Sequence, residues 1–184
     1  MGLAFRPGYP EIRHNIATYL QFANSYAALQ KFYNCIDWFR VVNLAVHLFD
    51  SHPDVLAKEQ ASIEHLLVDE YQDLNRKDQE FVRKLLADPN GLCVVGDEDQ
   101  SIYETQRFAD PNGLVTFDQT VMATKTLPLT FCHRCPNQIL SKANVLIAKN
   151  KVRMKDKAPL RAMHPENNGR VVTIWRRSKK AEVE

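Results

Sequence analysis

Residues 65–99 read HLLVDEYQDLNRKDQEFVRKLLADPNGLCVVGDED, and two short apolar runs punctuate them. Leu66-Leu67-Val68 ends in Asp69-Glu70; Leu92-Cys93-Val94-Val95 ends in Gly96-Asp97. Uninterrupted runs of this length suit strands buried on both faces, as in a parallel sheet. Between them lies a helical pattern, with Asn75 as N-cap and Phe81, Val82, Leu85 and Leu86 as one apolar face. Asp88-Pro89-Asn90-Gly91 then turns the chain out. Leu66 to Val95 spans 30 residues, the length of one βαβ unit. Such units connect right-handedly and place both strand C-termini at one sheet edge, where open α/β sheets bind ligands. Asp69-Glu70 and Asp97-Glu98-Asp99 are therefore expected side by side. Apolar chain buried up to such a cluster requires a cation nearby.

Upstream, residues 11–34 form an amphipathic helical pattern, with Ile12, Ile16, Leu20, Ala23 and Ala27 at steps of three and four. Asp37 caps a second helix, WFRVVNLAVHLF, apolar nearly all round and so expected to be buried. Ser51-His52-Pro53-Asp54 breaks it, and a short helix follows through Gln60. Downstream, RFADPNGLVTFDQTVMATKTL reads as loop, short helix and an edge strand. Residues 137–149 form a helix with Ile139, Leu140, Ala143, Leu146 and Ile147 on one face. A basic, proline-marked loop runs from Lys151 to Pro165, and Gly169 opens a weakly alternating strand, RVVTIW.

The bulk numbers bound the class. A chain of 184 residues, 45% hydrophobic and 25% charged, can bury a real core. Its net charge of +2 permits nucleic-acid binding without demanding it. No run approaches the roughly 18 apolar residues of a membrane helix, and the N-terminus lacks a secretory layout. Four cysteines without a framework pattern suit a reducing cytoplasm, the expected location.

Aspartate then glutamate at the tip of a buried strand is an arrangement found in nucleotide hydrolases: one carboxylate holds Mg²⁺ and the next polarises the attacking water. The alternative is a solvated acidic turn at a helix N-terminus, where the dipole welcomes carboxylates. More of the chain bears on the choice. VDEYQDLN, then VVGDEDQSIY, then LTFCHRCPNQIL resemble, in order and spacing, motifs II, III and IV of the UvrD/Rep-type superfamily 1A DNA helicases. The resemblance covers roughly residues 37–175.

Carried over by position, the resemblance implies that Asp69 holds Mg²⁺ and Glu70 orients the water. Gln72 and Asp73 complete motif II, which links the nucleotide site to its neighbours. Gln100 would sense the γ-phosphate of ATP, and Asp97 would couple that sensing to the DNA track. Arg134 would reach the γ-phosphate across a cleft, a task suited to a planar, permanently charged donor. His133 would lie against the purine. Tyr103, Arg107 and Phe108 fall where the family begins its single-strand contacts. Departures accompany these matches. Cys132-His133 stand where the family has asparagine and tyrosine, which implies weaker stacking. ETQRFAD is one residue longer than the family's segment and displaces its aromatic to Phe108. Stacking of that kind is worth about 1–3 kcal/mol per base.

None of the six glycines is followed by lysine, so no G-x-x-x-x-G-K-[ST] phosphate loop is present. The nearest lookalike, GLCVVGDE, puts Asp97 where lysine belongs. The chain thus reads as an internal fragment of a helicase, inactive alone. Its expected fold is α/β, a partial P-loop (RecA-like) parallel sheet. The expected division is 1–35, the end of an inserted helical subdomain; 36–127, the rest of the first motor lobe; and 128–184, a hinge and the start of the second. Expected partners are ATP, Mg²⁺, single-stranded or junction DNA and the remainder of the motor, without a membrane. The activity implied is ATP-driven 3′→5′ translocation in DNA unwinding, repair or replication.

Other readings compete for single segments. Cys132-His133-Arg134-Cys135 is a C-x-x-C, open to zinc or redox chemistry, but structural zinc normally takes four ligands and no second pair lies nearby in sequence. DEDQSIYETQRF has calcium-loop spacing at Asp97, Asp99 and Ser101, yet Ile102 replaces the turning glycine and Phe108 the bidentate glutamate. A two-metal nuclease would need a further acid or lysine on an adjoining strand. KNKVRMKDKAPLR either touches DNA phosphates or is simply solvated. The other reading for the whole chain is a truncated, non-catalytic DNA- or protein-binding module.

Overall fold

The βαβ pattern of residues 66–95 folds as its apolar spacing requires. The computed structural model describes residues 16–121, 124–166 and 169–172. Three helices lead in: α1 (Ile16–Phe32), α2 (Trp38–Ser51) and α3 (Pro53–Ala61). Strand β1 (Leu66–Val68), helix α4 (Arg76–Leu85) and strand β2 (Leu92–Val94) follow. Short helices α5 (Asn112–Val115) and α6 (Phe117–Thr120) come next, then β3 (Phe131–Cys132), α7 (Asn137–Ile147) and β4 (Arg161–Ala162).

Strands β1 and β2 pair in parallel, with Leu66 opposite Leu92 and Val68 opposite Val94. The ladder runs on past the strands: Val95 N–H donates to Val68 O at 2.8 Å and Tyr71 N–H to Val95 O at 3.0 Å. Polar ends set the helices. The Asp37 side chain accepts from Arg40 N–H and starts α2. Asn75 and Asp78 form a reciprocal capping box at the start of α4. Asp88 accepts from Asn90 N–H in the turn out of α4.

The core sits on one face of this sheet. Tyr71, Val82, Leu114, Phe117 and Val121 are buried together, with Leu66, Val68, Leu74, Leu92, Val94 and Met154 packed against them. Tyr71 meets Phe117 edge to face at 5.5 Å, and Phe49 of α2 stacks on Phe81 of α4 at 5.7 Å. Buried Gln79 closes the sheet-end loop by donating to Leu74 O and Asp110 O. Gly113 makes room for it, since a Cβ there would collide with the Gln79 side-chain amide.

Several expectations need correction. The strands are not covered on both faces: Leu67 is 76% exposed and Cys93 is also exposed, while the buried cluster packs against Leu66, Val68, Leu92 and Val94. Helix α2 is not buried all round either. Val46 and Phe49 are buried, but Trp38 is 90% exposed and Val41, Leu44 and Leu48 also face outward. One face of α2 meets α3 and α4, and one face is all that packing requires. The segment 107–121 holds two short helices and no strand. A second parallel pair, β3 with β4, was not foreseen; each strand is two residues long. Residues 170–172 are not in a strand, and the rest of RVVTIW, like residues 11–15, lies outside the described residues.

Candidate functional site

The parallel register delivers Asp69-Glu70 and Asp97–Gln100 to one sheet edge, since Val68, next to Asp69, pairs with Val94, three residues before Asp97. Asp69 is exposed, and its Oδ1 accepts from Glu70 N–H at 2.9 Å. Glu70 holds a left-handed backbone, φ 51° and ψ 42°, which is strained for a residue with a Cβ. That turn ends the strand and starts the single 3₁₀ turn Tyr71–Asp73.

Gln72 joins the two strand ends. It is 1% exposed, its Nε2 donates to Glu70 Oε2 at 2.6 Å and its Oε1 accepts from Asp97 N–H at 2.9 Å. Its carbonyl also accepts from Ser101 Oγ at 3.3 Å. The close approach depends on Gly96, where a Cβ would lie 2.6 Å from Gln72 Oε1 and 3.3 Å from Tyr71 N. Beside it, burial and then the Glu70 charge push the Asp73 carboxyl up, with Arg107 opposing. Asp73 Oδ1 is buried without a hydrogen-bond partner.

The second acidic cluster already has its cations. Lys157 Nζ lies 2.5 Å from Asp97 Oδ1, 3.0 Å from Glu98 Oε2 and 3.1 Å from Asp99 Oδ2. Arg153 Nε meets Asp99 Oδ2 at 2.9 Å, Asn150 Nδ2 donates to Asp99 Oδ1, and Met154 N–H donates to Glu98 Oε1. The Glu98 and Asp99 side chains are 1% exposed, so these partners neutralise charge that water does not reach. Burial pushes the Asp97 carboxyl up, but hydrogen bonds from Lys157 and Gln100 outweigh it and the net direction is down. Burial pushes Lys157 down, and its three carboxylate partners carry it up overall. Gln100 Nε2 donates to Asp97 Oδ2 at 2.7 Å, so one carboxylate links Lys157 to Gln100.

Tyr103 and Arg107 lie together, and Phe108 follows Arg107 in the chain. The Arg107 guanidinium sits 4.8 Å over the Tyr103 ring, and Arg107 N–H donates to Tyr103 O. Phe108 is 66% exposed at φ 57°, another strained backbone. Arg134 and His133 are exposed on the turn between β3 and α7. Neither forms a hydrogen bond or ion pair with Asp69 or Glu70; Arg134 instead lies beside the Cys132 thiol.

Lys157, Arg153 and Asn150 were missed as site residues. The signal was available: five acidic residues at one edge demand cations, and Lys151–Arg161 is a dense basic run downstream of the sheet. Among the described residues no three His, Cys, Asp or Glu side chains are grouped to hold a metal ion. The donors that remain, Asp69 and Glu70, are oxygen-only and exposed. They suit Mg²⁺ shared with phosphate oxygens and water, not an all-protein cage. No described helix is long and apolar enough to cross a membrane.

Residues 8–122 match the family described as the UvrD/REP helicase N-terminal domain. The chain is 39% identical over 125 residues to the ATP-dependent DNA helicase Rep of Escherichia coli (strain K12), covering 68% of this chain and 18% of Rep. It is 36% identical over 152 residues to the ATP-dependent DNA helicase PcrA of Leuconostoc citreum, covering 83% of this chain and 20% of that protein. The chain thus spans about a fifth of the length of these relatives. With 115 of its residues matched, the whole βαβ unit and its acidic edge among them, the chain belongs to the UvrD/REP helicase N-terminal domain family.

Proposed function

We propose that this chain supplies part of the nucleotide-hydrolysing and DNA-contacting machinery of an ATP-dependent 3′→5′ DNA helicase of the UvrD/Rep type, working in the cytoplasm on single-stranded or junction DNA in unwinding, repair or replication. The observation that carries the reading is the Val68–Val94 pairing, which brings Asp69-Glu70 and Asp97–Gln100 to one edge, with Gln72 bridging Glu70 and the Asp97 N–H. Asp69 would hold Mg²⁺ and Glu70 would orient water; the strained φ at Glu70 is the kind kept at catalytic positions. Gln100, held by Asp97, would report the γ-phosphate, and Gln72 would keep the reporter in register with the base. Arg134 would supply the guanidinium and His133 a face for the purine. Exposed Phe108, with Tyr103 and Arg107, would take single-stranded bases. Mg²⁺, when bound with ATP, supplies charge neutralisation for phosphoryl transfer. In this reading residues 36–127 belong to one RecA-like motor lobe and 128–184 to the hinge and the second.

A second reading is a non-catalytic DNA- or protein-binding module derived from such a motor; within the 184 residues no glycine is followed by lysine. One experiment separates them. The 184-residue chain is assayed for Mg²⁺-dependent ATP hydrolysis beside a chimera in which it replaces the matching segment of Rep. The motor reading expects background hydrolysis from the chain, and DNA-stimulated turnover from the chimera that Glu70→Gln abolishes while nucleotide binding persists. A chimera that turns over equally well with Glu70→Gln refutes the water-orienting role. A folded chimera that binds DNA without any turnover favours the module.

A further inference from the structure

The turn between β3 and α7 carries reactive groups that the carboxylate edge does not use. Cys132 ends β3, and Cys135 is followed by Pro136, the cap residue of the eleven-residue helix α7. Cys135 N–H donates to Cys132 Sγ at 3.4 Å. Arg134, between the two cysteines, places its positive charge beside that sulfur. The backbone of Cys135 thus folds back onto the Cys132 sulfur across a two-residue turn, and both cysteines line one hollow. Both cysteines are half-buried, and with Pro136 and His164 they line a shallow hollow open to solvent. Cys35 and Cys93, by contrast, are exposed and single. A metal is a poor fit, since the described residues offer no grouping of three ligands.

We propose that Cys132 and Cys135 form a redox-active dithiol that exchanges with low-molecular-weight disulfides of the glutathione type, with Cys132 as the attacking sulfur. The Cys132 thiolate attacks one sulfur of the small disulfide; the S–S bond breaks and one glutathione leaves as thiolate. Cys135 then gives up its proton and attacks the Cys132 sulfur, expelling the second glutathione. The chain loses two hydrogens, and one disulfide becomes two thiols. The order of attack agrees with the surroundings. N–H groups of Cys135 and Arg134, with the Arg134 charge, hold the Cys132 thiol below its ordinary range. Burial and the neighbouring Cys132 push Cys135 up. The ring that closes contains His133 and Arg134, so oxidation would tether that arginine.

The test needs neither nucleotide nor DNA, so it stands apart from the helicase reading. The reduced chain is treated with glutathione disulfide at neutral pH, acid-quenched, alkylated and digested with trypsin, which cuts after Arg134. A linked Cys132–Cys135 peptide pair and the joint loss of both thiols to alkylation are expected, with Cys35 and Cys93 free or singly adducted. Cys135→Ser should trap a mixed disulfide on Cys132, and Cys132→Ser should leave Cys135 slower to react than Cys93. The proposal is overturned if Cys132 and Cys135 stay alkylatable while the other two react, or if each ends as a separate adduct. It is also overturned if Cys135 keeps its rate in Cys132→Ser. The first readout uses the unmodified chain and does not depend on any variant folding.

Discussion

Gln72 uses both ends of its amide, donating to Glu70 Oε2 and accepting from Asp97 N–H, at a position water does not reach. Replacing it with leucine would fill similar volume yet orphan the Asp97 N–H, and a buried unmet donor costs about 1–3 kcal/mol. Gln72→Leu is therefore expected to lower the unfolding free energy by about 2 kcal/mol in urea titrations. A loss within error would mean the bridge is not formed in solution. Asp73 works in the opposite sense. Its raised pKa means the folded state favours the protonated form, so its contribution is fully present below the unfolded value and lost as pH rises through the folded one. Asp73→Asn should thus stabilise the chain at neutral pH, by about 1 kcal/mol or roughly 2–4 °C in Tm. That gain should vanish in acid, which thermal melts across pH would show. An equal gain at every pH would remove the charge argument.

Elements differ in how plainly their chemistry is written in the chain. β1, α4 and β2 were legible because each carries a strong local signal: a run of apolar residues, an asparagine cap and a Pro-Asn-Gly exit. Their connection rule then placed Asp69 and Asp97 together without any knowledge of contacts. β3 and β4 were not legible, since two residues per strand give no period to read. The outward exposure of Leu67 and of α2 was also hidden, because hydrophobicity tells which residue can be buried and not what is present to bury it. The acidic edge illustrates the same limit. Composition demanded a cation beside Asp97, Glu98 and Asp99; only the fold reveals that a loop some fifty residues downstream brings Lys157 and Arg153 there. Gln100 became legible through resemblance alone, and its tether to Lys157 through Asp97 did not.

At the scale of the whole molecule, that loop ties the β3–α7–β4 region to the β1–α4–β2 region. Asn144 in α7 holds the backbone of Leu160 at one end of it, while Lys157, Arg153 and Met154 grip the tip of β2 at the other. Breaking a buried ion pair by removing one partner leaves uncompensated charge and costs about 3–5 kcal/mol. The joint variant Lys157→Ala, Arg153→Ala is therefore expected to speed hydrogen exchange at amides of Cys132, Arg161 and α7 far more than at Val68 or Val95. The effect has a pH window. Asp97, whose pKa is lowered, contributes above its unfolded value and loses that contribution as pH falls through the folded one. Lys157, whose pKa is raised, contributes below its unfolded value and loses it as pH rises through the folded one. The difference between parent and variant should accordingly hold on a plateau from the ordinary aspartate range to the ordinary lysine range and shrink outside it. Exchange measured along that range decides the matter: uniform protection in both proteins would show that the two regions are joined by apolar packing around Met154, and the ions would then be bystanders.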